Sequence, residues 1–262
     1  MISSDTPPKM REIIMDTWPQ IYRKPIPIKR NSMNMSSIIE DLASIIRKHQ
    51  KTLPNVEPLK VDDEFAQVYK PTEDGDLNIK NEMFSCTGLR KVHLEIATLG
   101  KLDILHCIWY PEPNFNLPIF GADIVAMNNV CSAAITDLSP VDGLESPVYE
   151  KISEISQCYS FRHNRDAPEW GDIFSPYCKF ARLETDEDRS TFCQVVDEYL
   201  DAFVGAVWKS NIDYYRSTER YDGQINYCKK QKLNDKTRRI LAKYFGDRWA
   251  DLYIDEVLFD EH

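Results

Sequence analysis

Residues 91–110 read KVHLEIATLGKLDILHCIWY, and they decide the fold. From Lys91 the apolar residues recur every second position, with Val92, Leu94 and Ile96 set against His93, Glu95 and Ala97. Alternation of period two is the mark of a strand, and Gly100 supplies the turn that ends it. The following run, Leu102 to Tyr110, is apolar on both faces, as in a central strand covered on both sides. Asp103, Leu105, Cys107 and Trp109 point one way; Ile104, His106 and Ile108 point the other. His93 and Glu95 therefore share a strand face, with His106 on the neighbouring strand, where the usual residue is Val, Ile or Leu.

Working outward, Ile119 to Met127 reads as another strand with Asp123 at its middle, and Ser132 to Leu138 as a further one. Short loops between consecutive strands favour an antiparallel meander. Upstream, Ser37 with Glu40 makes a capping box for a helix in which Ile38, Leu42, Ile45 and Ile46 repeat at helical spacing to about His49. Residues 54–80 mix turns with short strands, TEDGD (72–76) being a strong turn signal. Downstream, Phe192, Val195, Val196, Tyr199, Leu200, Phe203, Val204 and Val207 form the stripe of an amphipathic helix. A second long helix is expected from Asp213 to Lys230. A third, capped by Asn234 or Asp235, closes at Gly246, and a fourth, capped by Asp247, runs through Trp249, Tyr253 and Leu258. The expected architecture is α+β: a three-layer α/β/α sandwich with a central antiparallel sheet. Residues 1–35, with Pro19, Pro25, Pro27 and a basic PIPIKR, are expected to be an irregular arm, and 36–262 one domain.

Composition narrows the function. The 262 residues are 42% hydrophobic and can bury a full core. A net charge of −10 argues against general nucleic-acid binding, which requires a dominant basic surface. Seven cysteines without a CxxC spacing read as reduced thiols in a reducing compartment. With no apolar run near the roughly 18 residues of a membrane span and no signal-peptide pattern at the start, a soluble intracellular protein is expected. Between Lys229 and Lys243, Lys229, Lys230, Lys232, Lys236, Arg238, Arg239 and Lys243 stand against Asp235 alone. That run is either a solvated helix face or a docking patch for an acidic partner.

An isolated buried carboxylate or imidazole is costly, so His93, Glu95, His106 and Asp123 on three neighbouring strands suggest a proton-handling pocket. Asp123, flanked by Phe120, Ala122, Ile124 and Val125, is expected to be desolvated, which would raise its pKa and let it donate a proton. Two other readings remain open for these residues: polar groups satisfied by nearby backbone, and a metal site, since two histidines and two carboxylates suit iron, zinc or manganese. His-x-Glu on a strand is a weak metal signature. No nucleophile elbow, Walker loop or G-x-G-x-x-G is present, so a nicotinamide or flavin nucleotide lacks its usual cradle.

VHLEIATLGKLDILHC (92–107), PIFGADIVA (118–126), SAAITDLSP (132–140), PEWGDIFSPYC (168–178) and NDKTRRILAKYFG (234–246) occur in this order, and together they resemble the ferredoxin-dependent bilin reductases. The resemblance implies an antiparallel sheet between helices, with biliverdin in the cleft between the sheet and the C-terminal helices. It implies electrons taken singly from reduced ferredoxin, without a bound metal or flavin. By the same resemblance, Asp123 is the central catalytic aspartate, and His106 and Glu95 match residues of the phycocyanobilin-forming, four-electron branch. There Glu95 serves D-ring vinyl reduction and His93 is a hydrogen-bonding neighbour. Arg165 and Lys236 match holders of the bilin propionates, with Ser132 beside them, while Asn234, Asp235 and Ile240 lie where the C-terminal segment closes over the tetrapyrrole. The implied reaction is four-electron reduction of biliverdin IXα to phycocyanobilin. A two-electron relative making another pigment and a non-catalytic bilin carrier are the alternatives. Ferredoxin is expected to dock on residues 229–243 with Arg90 and Lys91, in cyanobacterial cytoplasm or an algal plastid stroma.

Overall fold

The alternation around Gly100 becomes a hairpin of β4 (Leu89–Leu99) and β5 (Leu102–Pro111), paired antiparallel with Glu95 opposite His106. Gly100 has φ +59°, and a Cβ on it would stand 2.5 Å from the Asp74 carbonyl oxygen, so this turn requires glycine. The computed structural model describes residues 38–128 and 130–261; the expected arm over 1–35 and the Ser37 cap lie outside them.

On one side of the hairpin, β3 (Gly75–Cys86) pairs with β4, and β1 (Glu57–Pro58) and β2 (Gln67–Thr72) both pair with the outer edge of β3. On the other side, β6 (Ile119–Met127), β7 (Val130–Ser139) and β8 (Lys179–Leu183) follow in sequence order, and every pairing is antiparallel. Helices cover both faces, giving the expected three layers. Against one face, α1 (Ile38–Gln50), α3 (Val148–Cys158) and α4 (Asp186–Lys209) bury Val92, Leu94, Leu105, Cys107, Trp109 and Phe120. The α4 stripe from Phe192 to Val207 is buried here as the periodicity predicts, and a Thr185–Asp188 capping box starts the helix.

The opposite face lies under α2 (Asp63–Ala66), α5 (Ser217–Lys232), α6 (Asp235–Phe245), α7 (Asp247–Leu252) and a π-helical segment, Tyr253–Leu258. Several expected boundaries move. The stretch read as turns and short strands contains β1, β2 and the first half of β3, a longer strand whose alternating Leu77, Ile79, Asn81 and Met83 carry the sheet beyond the hairpin. The second long helix begins at Ser217 rather than Asp213, because the Asp213 carboxylate accepts from the Tyr215 N–H and pairs with Arg220, forming a turn in place of the first helical residues. Neither Asn234 nor Asp247 caps a helix with its side chain; Gly246, at φ +87°, separates α6 from α7. No helix among the described residues is long and apolar enough to cross a membrane.

Candidate active site

Sheet register places the site residues in one cross-strand row. Asn81 of β3, Glu95 of β4, His106 of β5, Asp123 of β6, Ile135 of β7 and Phe180 of β8 are successive pairing partners on the face under the C-terminal helices. Beyond Phe180, Arg165 donates its backbone N–H to the Phe180 carbonyl at 2.8 Å and extends the row. Strands lie about 4.8 Å apart, so the Arg165 backbone stands about 14 Å from that of Asp123, with the apolar Ile135 and Phe180 between them. Three ionisable side chains, the candidate proton donors, occupy one end of the row and a guanidinium the other.

At the donor end, His106 Nδ1 lies 2.5 Å from Asp123 Oδ1. Burial disfavours a charged imidazole here, but the charge and hydrogen bond of Asp123, together with Glu95, outweigh it and hold the His106 pKa above its ordinary value. His93, two residues before Glu95, lies edge-on to His106 with ring centroids 5.8 Å apart. It is fully buried, and its Nε2 is 2.7 Å from Asn81 Oδ1. Because Asn81 Nδ2 donates to the Phe65 carbonyl at 2.7 Å, the amide oxygen faces His93 and can only accept, so His93 carries its proton on Nε2. Burial, reinforced by the charges of Lys91 and His106, lowers the His93 pKa well below its usual value and keeps the ring neutral. His93 Nδ1 and His106 Nε2 are thereby left buried without a hydrogen-bond partner among the described residues.

Glu95 hydrogen bonds with Tyr253, which also accepts from Asn81 Nδ2 at 2.9 Å. Burial is the main cause of a raised Glu95 pKa, against the opposing influence of His106 and the Tyr253 hydrogen bond. Phe259 closes the row from above, its ring 5.6 Å from that of His106. Asp123 differs from expectation. Its side chain is 40% exposed, because Ala122 and Ile124 alternate into the layer against α4 while the carboxylate opens to the cleft. The full burial inferred from its neighbours in sequence is not found.

The binding candidates fall into two groups. Arg165 Nη1 donates to the Ser132 carbonyl at 2.6 Å, and Ser132 donates its hydroxyl to the Val125 carbonyl at 3.1 Å, so these two residues do meet, beside β6. Asn234, Asp235, Lys236 and Ile240 lie on and before the first turns of α6; Ile240 packs on the cluster containing Leu77, Ala97 and Tyr253, and Asp235 pairs with Arg239 at 3.4 Å. Sequence reasoning missed Asn81, Tyr253 and Phe259. The alternation of β3 could have placed Asn81 on the site face, whereas Tyr253 reads in sequence as one more apolar helix position.

The expected docking surface needs correction. Lys91 is 5% exposed and shares Asp260 with Arg90, so neither residue offers a free charge to a partner. Within 229–243, Lys230, Lys232, Arg238, Arg239 and Lys243 all pair with carboxylates of the same chain, among them Asp251, Asp255 and Glu261 of the acidic C-terminus. No group of three or more His, Cys, Asp or Glu side chains among the described residues is arranged to hold a metal ion.

Comparison with known proteins bears on this geometry. Residues 43–260 match the family described as ferredoxin-dependent bilin reductase. The chain is 44% identical over 228 residues to a phycocyanobilin:ferredoxin oxidoreductase of Synechococcus sp. (strain CC9902), covering 85% of this chain and 92% of the relative. It is 38% identical over 245 residues to the protein of that name from Gloeobacter violaceus, covering 91% and 97%. Among solved structures, tomato phytochromobilin synthase in complex with biliverdin superposes with a TM-score of 0.70 at 16% identity, over 85% of this chain and 82% of that one. That likeness is one of fold.

Proposed function

This chain belongs to the ferredoxin-dependent bilin reductase family, and on that premise we propose that the cleft over β4, β5 and β6 binds biliverdin IXα and that Glu95, His106 and Asp123 protonate it during reduction to phycocyanobilin. Reduced ferredoxin supplies four electrons one at a time, and four protons must accompany them. The first electron of each pair leaves a bilin radical, which is protonated at one chosen carbon before the second electron and a further proton complete that two-electron reduction, so the protein's contribution is where it holds its protons. The observation that carries the reading is the row Glu95, His106, Asp123, in which a buried carboxyl and an imidazole paired with a carboxylate, each with its pKa raised, stand on adjacent strands.

The carboxylate of Asp123 faces the cleft and carries the proton passed to the tetrapyrrole, with His106 as its immediate source at 2.5 Å. Glu95 serves the far end of the row and reduction of the D-ring vinyl group. Arg165, beside Ser132, holds a propionate by charge-assisted hydrogen bonds, and Lys236 at the start of α6 holds a propionate from the other wall of the cleft. Asn234, Asp235 and Ile240 close the cleft, and His93 and Asn81 keep His106 and Glu95 in place. No bound metal or flavin takes part, and residues 36–262 act as one domain. Ferredoxin docks near the α5–α6 junction, where Lys229 is exposed.

Mixing the protein with biliverdin should give a perturbed absorption spectrum, and adding reduced ferredoxin should convert the pigment to phycocyanobilin, identified by chromatography. A product with the D-ring vinyl group intact would replace the four-electron reading by a two-electron one. Stoichiometric iron or zinc, with activity lost on its removal and restored on its return, would overturn the metal-free reading.

A further inference from the structure

A second buried charge pair lies beside the proton donors. Lys91, His93 and Glu95 project from the same face of β4, as alternate residues of a strand must. The Lys91 ammonium pairs with Asp260 and donates to the Val257 carbonyl at 2.7 Å, and Arg90 Nη1 lies 2.5 Å from the other Asp260 oxygen. Tyr110 underlies both cations, its ring 5.3 Å from Lys91 Nζ and 4.4 Å from Arg90 Cζ, and donates its hydroxyl to the Leu258 carbonyl at 3.3 Å. Cys228 of α5 donates to the Asp260 carbonyl at 3.4 Å. Residues 257–260 are thus fastened to β4, β5 and α5. The same C-terminal segment sets Tyr253 on Glu95 and Phe259 on His106.

A buried ammonium tends to lose its proton unless a carboxylate holds it. Burial draws the Lys91 pKa below its ordinary value, and the charge and hydrogen bond of Asp260 oppose that fall. A positive charge on Lys91 disfavours the charged form of both nearby imidazoles. Lys91 is faced by Arg90 and His93 on its own strand, by Tyr110 and His106 on β5, by Cys228 on α5 and by Asp260. The two imidazoles are faced by Lys91, Glu95, Asp123 and, across Asn81, Tyr253.

We propose that Lys91 and Asp260 form a positioning pair for bilin protonation: the carboxylate clamps the ammonium beside the two histidines and fastens the segment that lays Tyr253 and Phe259 over the donors. This inference rests on the function proposed above. Neither residue need touch the pigment.

Lys91→Met separates the electrostatic role from the mechanical one, because Asp260 keeps Arg90 and the segment stays fastened. With the positive neighbour gone, His106 holds its proton to higher pH, so the alkaline limb of kcat should move up by about one pH unit. That is the size expected of a unit charge about 7 Å away along the strand in a partly polar interior. The KM for biliverdin should change less than about threefold. Asp260→Asn should lower kcat about tenfold and speed hydrogen exchange of amides 253–259 about tenfold or more. An alkaline limb of active Lys91→Met superimposable on that of the wild type overturns the proposal, as does wild-type exchange in Asp260→Asn. Failure of the wild-type protein to bind and reduce biliverdin would instead fall on the functional reading.

Discussion

Two carboxylic acids of the site carry opposite environments, and that difference assigns their parts. Glu95 is buried and has its pKa raised, while Asp123 is open to the cleft and bonded to an imidazole whose pKa is also raised. Glu95 and His106 both carry protons at pH values where an ordinary carboxyl and imidazole have begun to lose them, and both discharge as the pH rises through their raised values. Activity should therefore be full on the acid side and fall on the alkaline side, and a profile that rises with pH through neutrality would contradict the donor assignment. Asp123→Asn keeps the shape but removes the proton carrier. Biliverdin should still bind, with turnover reduced about 10²-fold or more, and wild-type turnover would make Asp123 structural. Glu95→Gln retains hydrogen bonding to Tyr253 but cannot supply an acidic proton, so it should block or redirect the D-ring step with binding nearly unchanged. Chromatography of the products reads this directly; phycocyanobilin formed at the wild-type rate would end the role given to Glu95.

At the level of elements, the loop after α3 is held by a buried acid outside the donor row. Asp137 of β7 accepts from Ser139 Oγ at 2.7 Å and from the Ser175 N–H and hydroxyl at 2.9 and 2.5 Å, which binds the PEWGDIFSPYC block to the sheet. Burial pushes its pKa up to about 6 despite these bonds. The folded state therefore prefers the neutral acid, and stability falls as the pH rises from the ordinary carboxylate range through about 6. Asp137→Asn can still accept from the Ser175 N–H, so it should raise the melting temperature at pH 8, where the charge costs up to about 3 kcal/mol, and do little at pH 4.5. Equal shifts at both pH values would show that packing, not charge, controls the site. The β4–β5 hairpin and its donor row were legible in sequence because alternation fixes which residues share a face, and the short connections from β5 to β7 fix which strands are neighbours. The partnership of Asn81 with Tyr253 was not legible. It spans residues 81 to 253, and although the alternation of β3 gives the face of Asn81, no local period records a contact made by folding a C-terminal turn back onto the sheet. The Asp123 environment was misjudged for a related reason: flanking residues in a strand belong to the other face, and what covers a side chain is decided by the layer above it.

Across the whole molecule, charge is arranged so that local sequence patches do not survive as surface patches. The basic run on α5 and α6 reads as +6 in sequence, yet five of its seven cations, Lys230, Lys232, Arg238, Arg239 and Lys243, find carboxylates on the 3-10 turn Gly171–Ile173, the β2–β3 turn, α6 itself, α7 and the C-terminal segment. Asp251, Asp255 and Glu261, near the C-terminus, are part of the counter-charge. Exposed pairs of this kind add little stability each, but they remove the free cations on which long-range attraction depends. An acidic electron donor would then meet a chain with a net charge of −10 whose basic run is largely offset by carboxylates of the same chain. Its approach should depend only weakly on ionic strength, with kcat/KM for ferredoxin changing less than about threefold between about 50 and 300 mM salt, over which screening shortens to well under the size of the protein. Charge reversal at the exposed Lys229 should raise the KM for ferredoxin, while Arg90→Gln, which breaks an internal pair, should act on stability and leave that KM nearly unchanged. A steep fall of kcat/KM with salt would mean that the internal pairs open when ferredoxin arrives and that the basic run docks as its sequence suggests.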